Sequence, residues 1–294
     1  MVTASCGRDE EAKKVSLEKR EVVKTEGKRP RGKSLRFAVG AMVTPREGFA
    51  FYRRLLDYIG EELDRPVELV DRDSYAEIND LFGSGDVDIA FVCGQPYVDG
   101  RDEMGIELLV APQAYGETVY YSYIIVPEDS PIERFEELRG KTFAFVDPMS
   151  NSGKLVPTYM LARRGETSDS FFREFVYTYG HDKSIRVVAQ KIVDGAAVDH
   201  LIWEYFNHTD PELIAKTRVI EKSPPYGMPP VVVHPELDPE IKERMRQLFL
   251  HIHKDKTGRE ILKGMMIDKF VGIDDSAYDS IREMMSWLAR QEIE

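Results

Sequence analysis

From Leu35 onward, short apolar runs alternate with longer segments whose apolar residues recur at helical spacing. Leu35 to Gly40 reads as a strand, Phe49 to Leu63 as a helix (Phe51, Leu55, Tyr58, Ile59 on one face), and Pro66 to Val70 as a second strand. Tyr75 to Phe82 is a second helix that ends at Gly83-Ser84-Gly85. Val87 to Val92 is apolar at every position but one, as a parallel strand covered on both faces must be. This β-α-β-α-β order predicts an α/β layered domain.

Two passages interrupt the series. Val119 to Val126 reads as a strand that leads through Pro127 into a helix over Pro131 to Leu138. A second α/β series then begins at Lys141: strand Thr142 to Val146, helix from Gly153, strand Phe175 to Tyr179, helix Ser184 to Ile192, strand Gly195 to Val198. The other passage is the proline-rich Pro224 to Pro230, followed by the strand Val231 to Val233 and then by helices only: Pro239 to Lys254, Gly258 to Lys263 and Asp275 to Ala289. One domain inserted into another through two connecting segments explains the layout. The expected lobes are 35–121 plus 228–294, and 122–227.

Charge is uneven along the chain. The net charge is −12, yet residues 7–33 hold ten Lys/Arg against six Asp/Glu. That stretch lacks aromatics and buries too little to offset its ordering entropy, so 1–34 reads as a disordered tether; a helix over Ser16 to Thr25 is the alternative. An acidic body argues against nucleic-acid partners. No apolar run approaches the roughly 18–20 residues that span a bilayer. Two cysteines exclude a disulfide scaffold and a four-thiolate zinc site. No metal or cofactor motif is present; His251 and His253 lie two residues apart, on different helix faces.

Asp147-Pro148-Met149-Ser150-Asn151-Ser152-Gly153-Lys154 carries the chemistry. A strand runs into a turn of hydroxyl and amide side chains that opens a helix, where unpaired N–H groups favour an anion. Gly153 lets the backbone approach closely. Ser150 or Ser152 as a plain helix cap is the competing reading. The spacing is not that of a Walker loop.

Asp-Pro-x-Ser-x-Ser-Gly-x-Leu-x-Pro resembles the signature of the periplasmic phosphate/phosphite/phosphonate-binding proteins of ABC importers. Other pieces match in order: Ser74 to Glu77, Val87 to Phe91, Tyr120 to Ser122, Asp129 to Ile132, Leu138 to Thr142, Gly180 to Ser184 and Val193 to Ala196. The resemblance implies a type II two-lobe periplasmic-binding-protein fold, α/β and hinged, with two crossover segments. It implies that Ser150, Asn151, Ser152 and Gly153 hold the ligand oxygens and that His181 donates to the same group. It places Tyr75, Gln95, Tyr97, Tyr121 and Ser122 around the cleft. Asp199, with Asp194, offers a carboxylate where relatives hold an ammonium group. Tyr75 as core packing, His181 as a capping residue, and Tyr97 and Tyr121 as closers of a core edge are the plainer readings. Cys93 reads as a small buried hydrophobe, and Lys154 and Lys183 as surface residues.

The resemblance further implies a monomeric, non-catalytic binding component of an ABC importer, with a small oxyanion as ligand, a permease and ATPase as partners, and no cofactor. Ala4-Ser5-Cys6-Gly7 is similar to a lipoprotein processing site, with Cys6 as the lipidated residue and the membrane reached only through that anchor; the charged and apolar regions of a signal do not precede it. A periplasmic or extracytoplasmic location follows. A sensory module for the same anion, or a lyase or dehydratase on the same fold, are the alternatives. No HExxH or Ser/His/Asp order supports catalysis.

Overall fold

Val87 to Val92 has no polar face to offer water, and the structure gives this stretch a central place. The structure is a computed structural model that describes residues 34–40 and 46–291. Cys6 and all of the expected tether but Ser34 lie outside the described residues.

In chain order the first part holds β1 (Leu35–Val39), α1 (Arg46–Leu63), β2 (Val67–Val70), α2 (Tyr75–Gly83), β3 (Ile89–Phe91), α3 (Gly94–Met104) and β4 (Glu107–Gln113). A two-residue β5 (Val119–Tyr120) precedes β6 (Ser122–Pro127), β7 (Thr142–Phe145), α4 (Val156–Ala162), α5 (Ser168–Phe171) and β8 (Glu174–Tyr177). Then come α6 (His181–Ala189), β9 (Gly195–Asp199), α7 (His200–Thr209), α8 (Pro211–Ile214), β10 (Thr217–Lys222) and β11 (Tyr226–Gly227). The chain closes with β12 (Val231–Val233), α9 (Pro239–His251), α10 (Lys256–Gly264), β13 (Lys269–Val271) and α11 (Asp279–Gln291).

Two larger sheets result. The first has the order β13-β4-β12-β3-β1-β2, the second β10-β6-β9-β7-β8. β1 runs parallel to β2 and β3, and β7 parallel to β8 and β9. In the first sheet, alternation along β1 and β3 sends Phe37 and Ile89 to one face, with Leu55 and Ile59 of α1. Ala38 and Ala90 face the other way, toward Ile78, Phe82 and Val98 of α2 and α3. Each fully buried large side chain contributes about 1.5–3 kcal/mol, so both faces need their helices. The second sheet is likewise covered on both faces, by α6 and α7 on one and by Phe135, Leu161, Phe171 and Phe172 on the other.

The two connecting passages pair with each other: β5 and β11 form an antiparallel ladder with Tyr226 opposite Tyr120. Gly227 is required there, because a Cβ at that position would lie 2.6 Å from the Ala277 carbonyl oxygen.

Several elements differ from expectation. The C-terminal region is not helices only: β13 edges the first sheet, paired with β4. That strand is only three residues long, too short for periodicity to register. The helix expected over Pro131 to Leu138 is a single 3-10 turn at Phe135–Leu138. The helix expected from Ser184 starts at His181, and α3, β4, α7 and β10 were not anticipated. Among the described residues, no helix is long and apolar enough to cross a membrane.

Candidate ligand-binding site

Between β7 and α4 the chain makes one wide helical turn over Asn151–Leu155. Ser150 caps it: its Oγ accepts the Gly153 N–H at 3.0 Å, while its carbonyl accepts the N–H groups of Lys154 and Leu155, both at 2.9 Å. Gly153 is dictated from behind the turn, since a Cβ there would lie 2.5 Å from Val146 Cγ2. Its N–H is already engaged by Ser150. The close packing at Gly153 is against Val146, behind the turn. Asn151 and Ser152 remain to face the site, and both are fully buried.

The neighbouring wall comes from the second sheet. Ser122 on β6 lies opposite Asp199 on β9 and donates its hydroxyl to the Ser152 carbonyl at 2.6 Å. Asp199 also caps α7, its Oδ1 accepting the Leu201 N–H at 2.8 Å. The Asp199 backbone N–H donates to His181 Nδ1 at 2.9 Å. That bond leaves the imidazole proton on Nε2. Burial pulls the His181 pKa down, against the opposing pull of Asp199 and Asp182, which favours the neutral ring.

Eight buried side-chain polar atoms among the described residues have no hydrogen-bond partner, and four belong to this group: Asn151 Oδ1, Ser152 Oγ, His181 Nε2 and Asp199 Oδ2. A buried polar group left unpaired costs about 1–3 kcal/mol, so a concentration of four calls for a function. Together they offer one fixed donor, one hydroxyl able to donate or accept, and two acceptors.

The first sheet contributes the opposite wall. Tyr75 begins α2, and its backbone N–H donates to Asp147 Oδ2 at 3.2 Å across from the second sheet. Burial raises the Tyr75 phenol well above its ordinary pKa, with Cys93, Asp147, Asp199 and Tyr52 pushing the same way, so it stays protonated. Burial likewise lifts the Asp147 carboxyl, against the N–H bonds from Met149 and Tyr75. Tyr120 accepts from Asn151 Nδ2 at 2.9 Å and lies 3.7 Å from Cys93 Sγ. Burial pushes the Cys93 thiol up to about 11, so it is a packed, neutral thiol.

The structure thus brings together Tyr75, Ser122, Ser150, Asn151, Ser152, His181 and Asp199. It does not bring Tyr97 or Tyr121 into this group. Tyr97 lies in α3; its hydroxyl donates to Asp275 and its ring packs 4.6 Å from that of Tyr278. Tyr121 points outward, bonded to Glu117 and covered by the Lys222 ammonium. Gln95, also in α3, bonds along its own helix to Asp99, with Oε1 buried and unpaired. Asp194 braces Thr142 and not the site. Lys154 packs its ammonium over the Phe145 ring, and Lys183 is exposed. Tyr120 and Asp147 were missed. Strand alternation held the signal for Tyr120, since a buried Ser122 places residue 120, not 121, on the same face.

A family model described as "ABC transporter, phosphonate, periplasmic substrate-binding protein" matches residues 37–278. The phosphonates-binding periplasmic protein of Escherichia coli (strain K12) is 30% identical over 175 residues, 58% of this chain and 52% of the relative. The chain thus matches about half the length of that relative. A solved binding-protein component of an ABC phosphonate transporter from Pseudomonas aeruginosa is similar with a TM-score of 0.83 and 24% identity, over 88% of each chain. A Prochlorococcus marinus (MIT 9301) structure in complex with methylphosphonate has a TM-score of 0.79 and 19% identity, over 87% of this chain and 98% of that one. At these identities the solved structures establish the shared fold, the type II two-lobe architecture with two crossovers.

Proposed function

The chain belongs to the periplasmic phosphonate substrate-binding family of ABC transporters, and on that premise we propose that it captures a phosphorus oxyanion between two lobes for import. The unpaired set at Asn151, Ser152, His181 and Asp199 is the observation that carries the reading. Its donors suit an anionic oxygen. Its acceptors require that the ligand also bring a proton. A singly protonated phosphonate, phosphite or phosphate does both; a sulfate or sulfonate, with no proton near neutral pH, leaves Asp199 facing bare negative charge. Hydrogen bonds to a charged group are worth about 1.5–3 kcal/mol each, enough in this number to reach micromolar affinity.

The lobes are 35–121 with 228–294, and 122–227, in keeping with the strands each sheet recruits. The β5–β11 ladder is the hinge, and the Tyr75–Asp147 and Asn151–Tyr120 bonds hold the closed arrangement. The closed lobes present a joint surface to a permease and its ATPase. The protein acts in the periplasm as a monomer, held to the membrane through a lipid on Cys6. The family match lends no support to the sensory or lyase readings.

A thermal-shift series with phosphate, phosphite, methylphosphonate, aminoethylphosphonate and sulfate tests the proposal. The midpoint rises with one or more of the phosphorus anions and not with sulfate. A flat response to all five overturns it.

A further inference from the structure

The chain is acidic overall, yet residues 242–269 hold eight Lys/Arg against four Asp/Glu. They cover most of α9, the 3-10 turn Ile252–Lys254 and α10, and reach β13. α10 buries Gly258, Ile261 and Leu262, so Lys256, Arg259, Glu260 and Lys263, spaced three and four residues apart, share its outward face. All four are exposed, as are His251 and Lys254 just before the helix. The Arg259 guanidinium donates to the Lys254 carbonyl at 2.8 Å, which sets these cations side by side. They converge around His253, whose pKa is pulled down first by burial and then by Lys254, Lys269, His251 and Arg259.

The acids on this face are already engaged. Asp255 caps α10, accepting the Gly258 N–H at 2.8 Å, and Glu260 lies 3.9 Å from Arg54 of α1. Lys254, Lys256, Arg259 and Lys263 take part in no ion pair among the described residues. A surface groove lined by Glu62, Leu63, Arg244, His251 and Lys254 joins this face to the C-terminal end of α1. Just beyond that end the Pro66 carbonyl accepts the Leu35 N–H at 2.8 Å, so the chain preceding Leu35 enters the fold beside the groove.

We propose that the outward face of α10, with Lys254, is a docking surface for anionic phospholipid. Exposed cations without carboxylate partners suit a sheet of phosphate head groups, and each Lys or Arg near such a surface is worth about fivefold in affinity. Residues 7–33 carry a basic excess of their own, so the chain entering on this side is drawn to the same charge. This surface goes beyond the oxyanion reading and is independent of the ligand.

Flotation of the full chain, without lipid on Cys6, on vesicles of phosphatidylcholine with about 30% phosphatidylglycerol tests this. Binding occurs on these vesicles and not on phosphatidylcholine alone, and high salt removes it. Lys256→Glu/Arg259→Glu/Lys263→Glu weakens it about 100-fold or more. Lys141→Glu/Lys191→Glu/Lys216→Glu, the same change in charge at three exposed lysines beside the second sheet, leaves most of it. An unchanged α10 variant, or equal losses in the two variants, would assign the attraction to the N-terminal segment or to net charge and overturn the proposal. Absence of binding to the anionic vesicles, as when the face meets an acidic protein instead, overturns it too. Should the α10 variant not fold, acetylation of the wild type decides: the anionic vesicles shield Lys254, Lys256 and Lys263 from the reagent, and unchanged labelling there counts against the proposal.

Discussion

The Asp199 backbone N–H donates to His181 Nδ1 at 2.9 Å, and this bond fixes which imidazole nitrogen can serve a ligand. Protonating the ring would put a second hydrogen where Asp199 already supplies one. Burial holds the native pKa below the ordinary 6.5. Below about 6.5 the unfolded chain therefore binds the proton more readily, and the contribution to stability is lost as pH falls toward the depressed native value. Urea melts from pH 8 to pH 5 should show a decline that is smaller in His181→Asn, which keeps an acceptor for Asp199. Equal pH dependence in the two proteins would show that His181 is not the titrating group.

Ser152 separates binding from folding. Its hydroxyl is buried without a partner, so Ser152→Ala removes a desolvated group and no native hydrogen bond. The ligand-free variant should be as stable as the wild type, or more so by up to about 1–3 kcal/mol. Phosphonate affinity should fall about 10- to 150-fold, the worth of one hydrogen bond to a charged group. Calorimetric unfolding and titration on the same preparation read both effects, and their opposite signs distinguish a site residue from a structural one.

Asp199 should set the protonation state of the bound ligand. With Oδ2 as acceptor, wild-type affinity for methylphosphonate declines as pH rises through the ligand's second ionisation. Asp199→Asn keeps an oxygen for the Leu201 N–H and can turn an amide donor toward the ligand. It should lose that decline and gain roughly tenfold or more, about 1.4 kcal/mol, for methanesulfonate relative to the wild type. Titrations across pH 6–9 with both ligands check it; an unchanged ratio would remove Asp199 from the ligand's surroundings.

Local pattern sufficed for much of this architecture because its strands and helices declare their periods. Val87 to Val92 reads as a covered strand from composition alone, and β3 lies there, inside the first sheet. The Ser150 turn is legible for a related reason, since hydroxyl and amide residues between a strand and a helix have few other uses. What could not be read is what depends on partners distant in sequence. Tyr97 is a plausible cleft aromatic until Asp275, 178 residues away, takes its hydroxyl. β13 exists because β4 offers it an edge, not because three residues prefer a strand. Resemblance carried His181 into the site; the sequence held no sign that Asp199 would orient its ring.

Gly153 offers a test of why a glycine stands in the turn between β7 and α4. A methyl group there would meet Val146 at 2.5–2.6 Å, whereas the Gly153 N–H is already bonded to Ser150. Gly153→Ala should destabilise the protein by about 1–3 kcal/mol through overpacking. Adding Val146→Ala should recover part of that stability and restore phosphonate binding in chemical denaturation and titration. A double variant that folds well yet binds nothing would show that the glycine serves the ligand directly.

Asp147 joins the two sides of the site through the Tyr75 N–H at 3.2 Å, and it also accepts from Met149 at 2.8 Å within its own turn. Asp147→Ala leaves both donors without their carboxylate, whereas Asp147→Asn keeps an acceptor oxygen for them. If the Tyr75 bond holds the lobes together, the alanine variant shifts the ligand-free protein toward open forms, and the asparagine variant does so much less. Small-angle scattering should then give a larger radius of gyration for Asp147→Ala without ligand, collapsing to the wild-type value at saturating methylphosphonate. The accompanying affinity loss should be about fivefold or more, about 1 kcal/mol, since a ligand must first repopulate the closed state. An unchanged radius combined with the same affinity loss would place Asp147 in the turn's local geometry and not in closure.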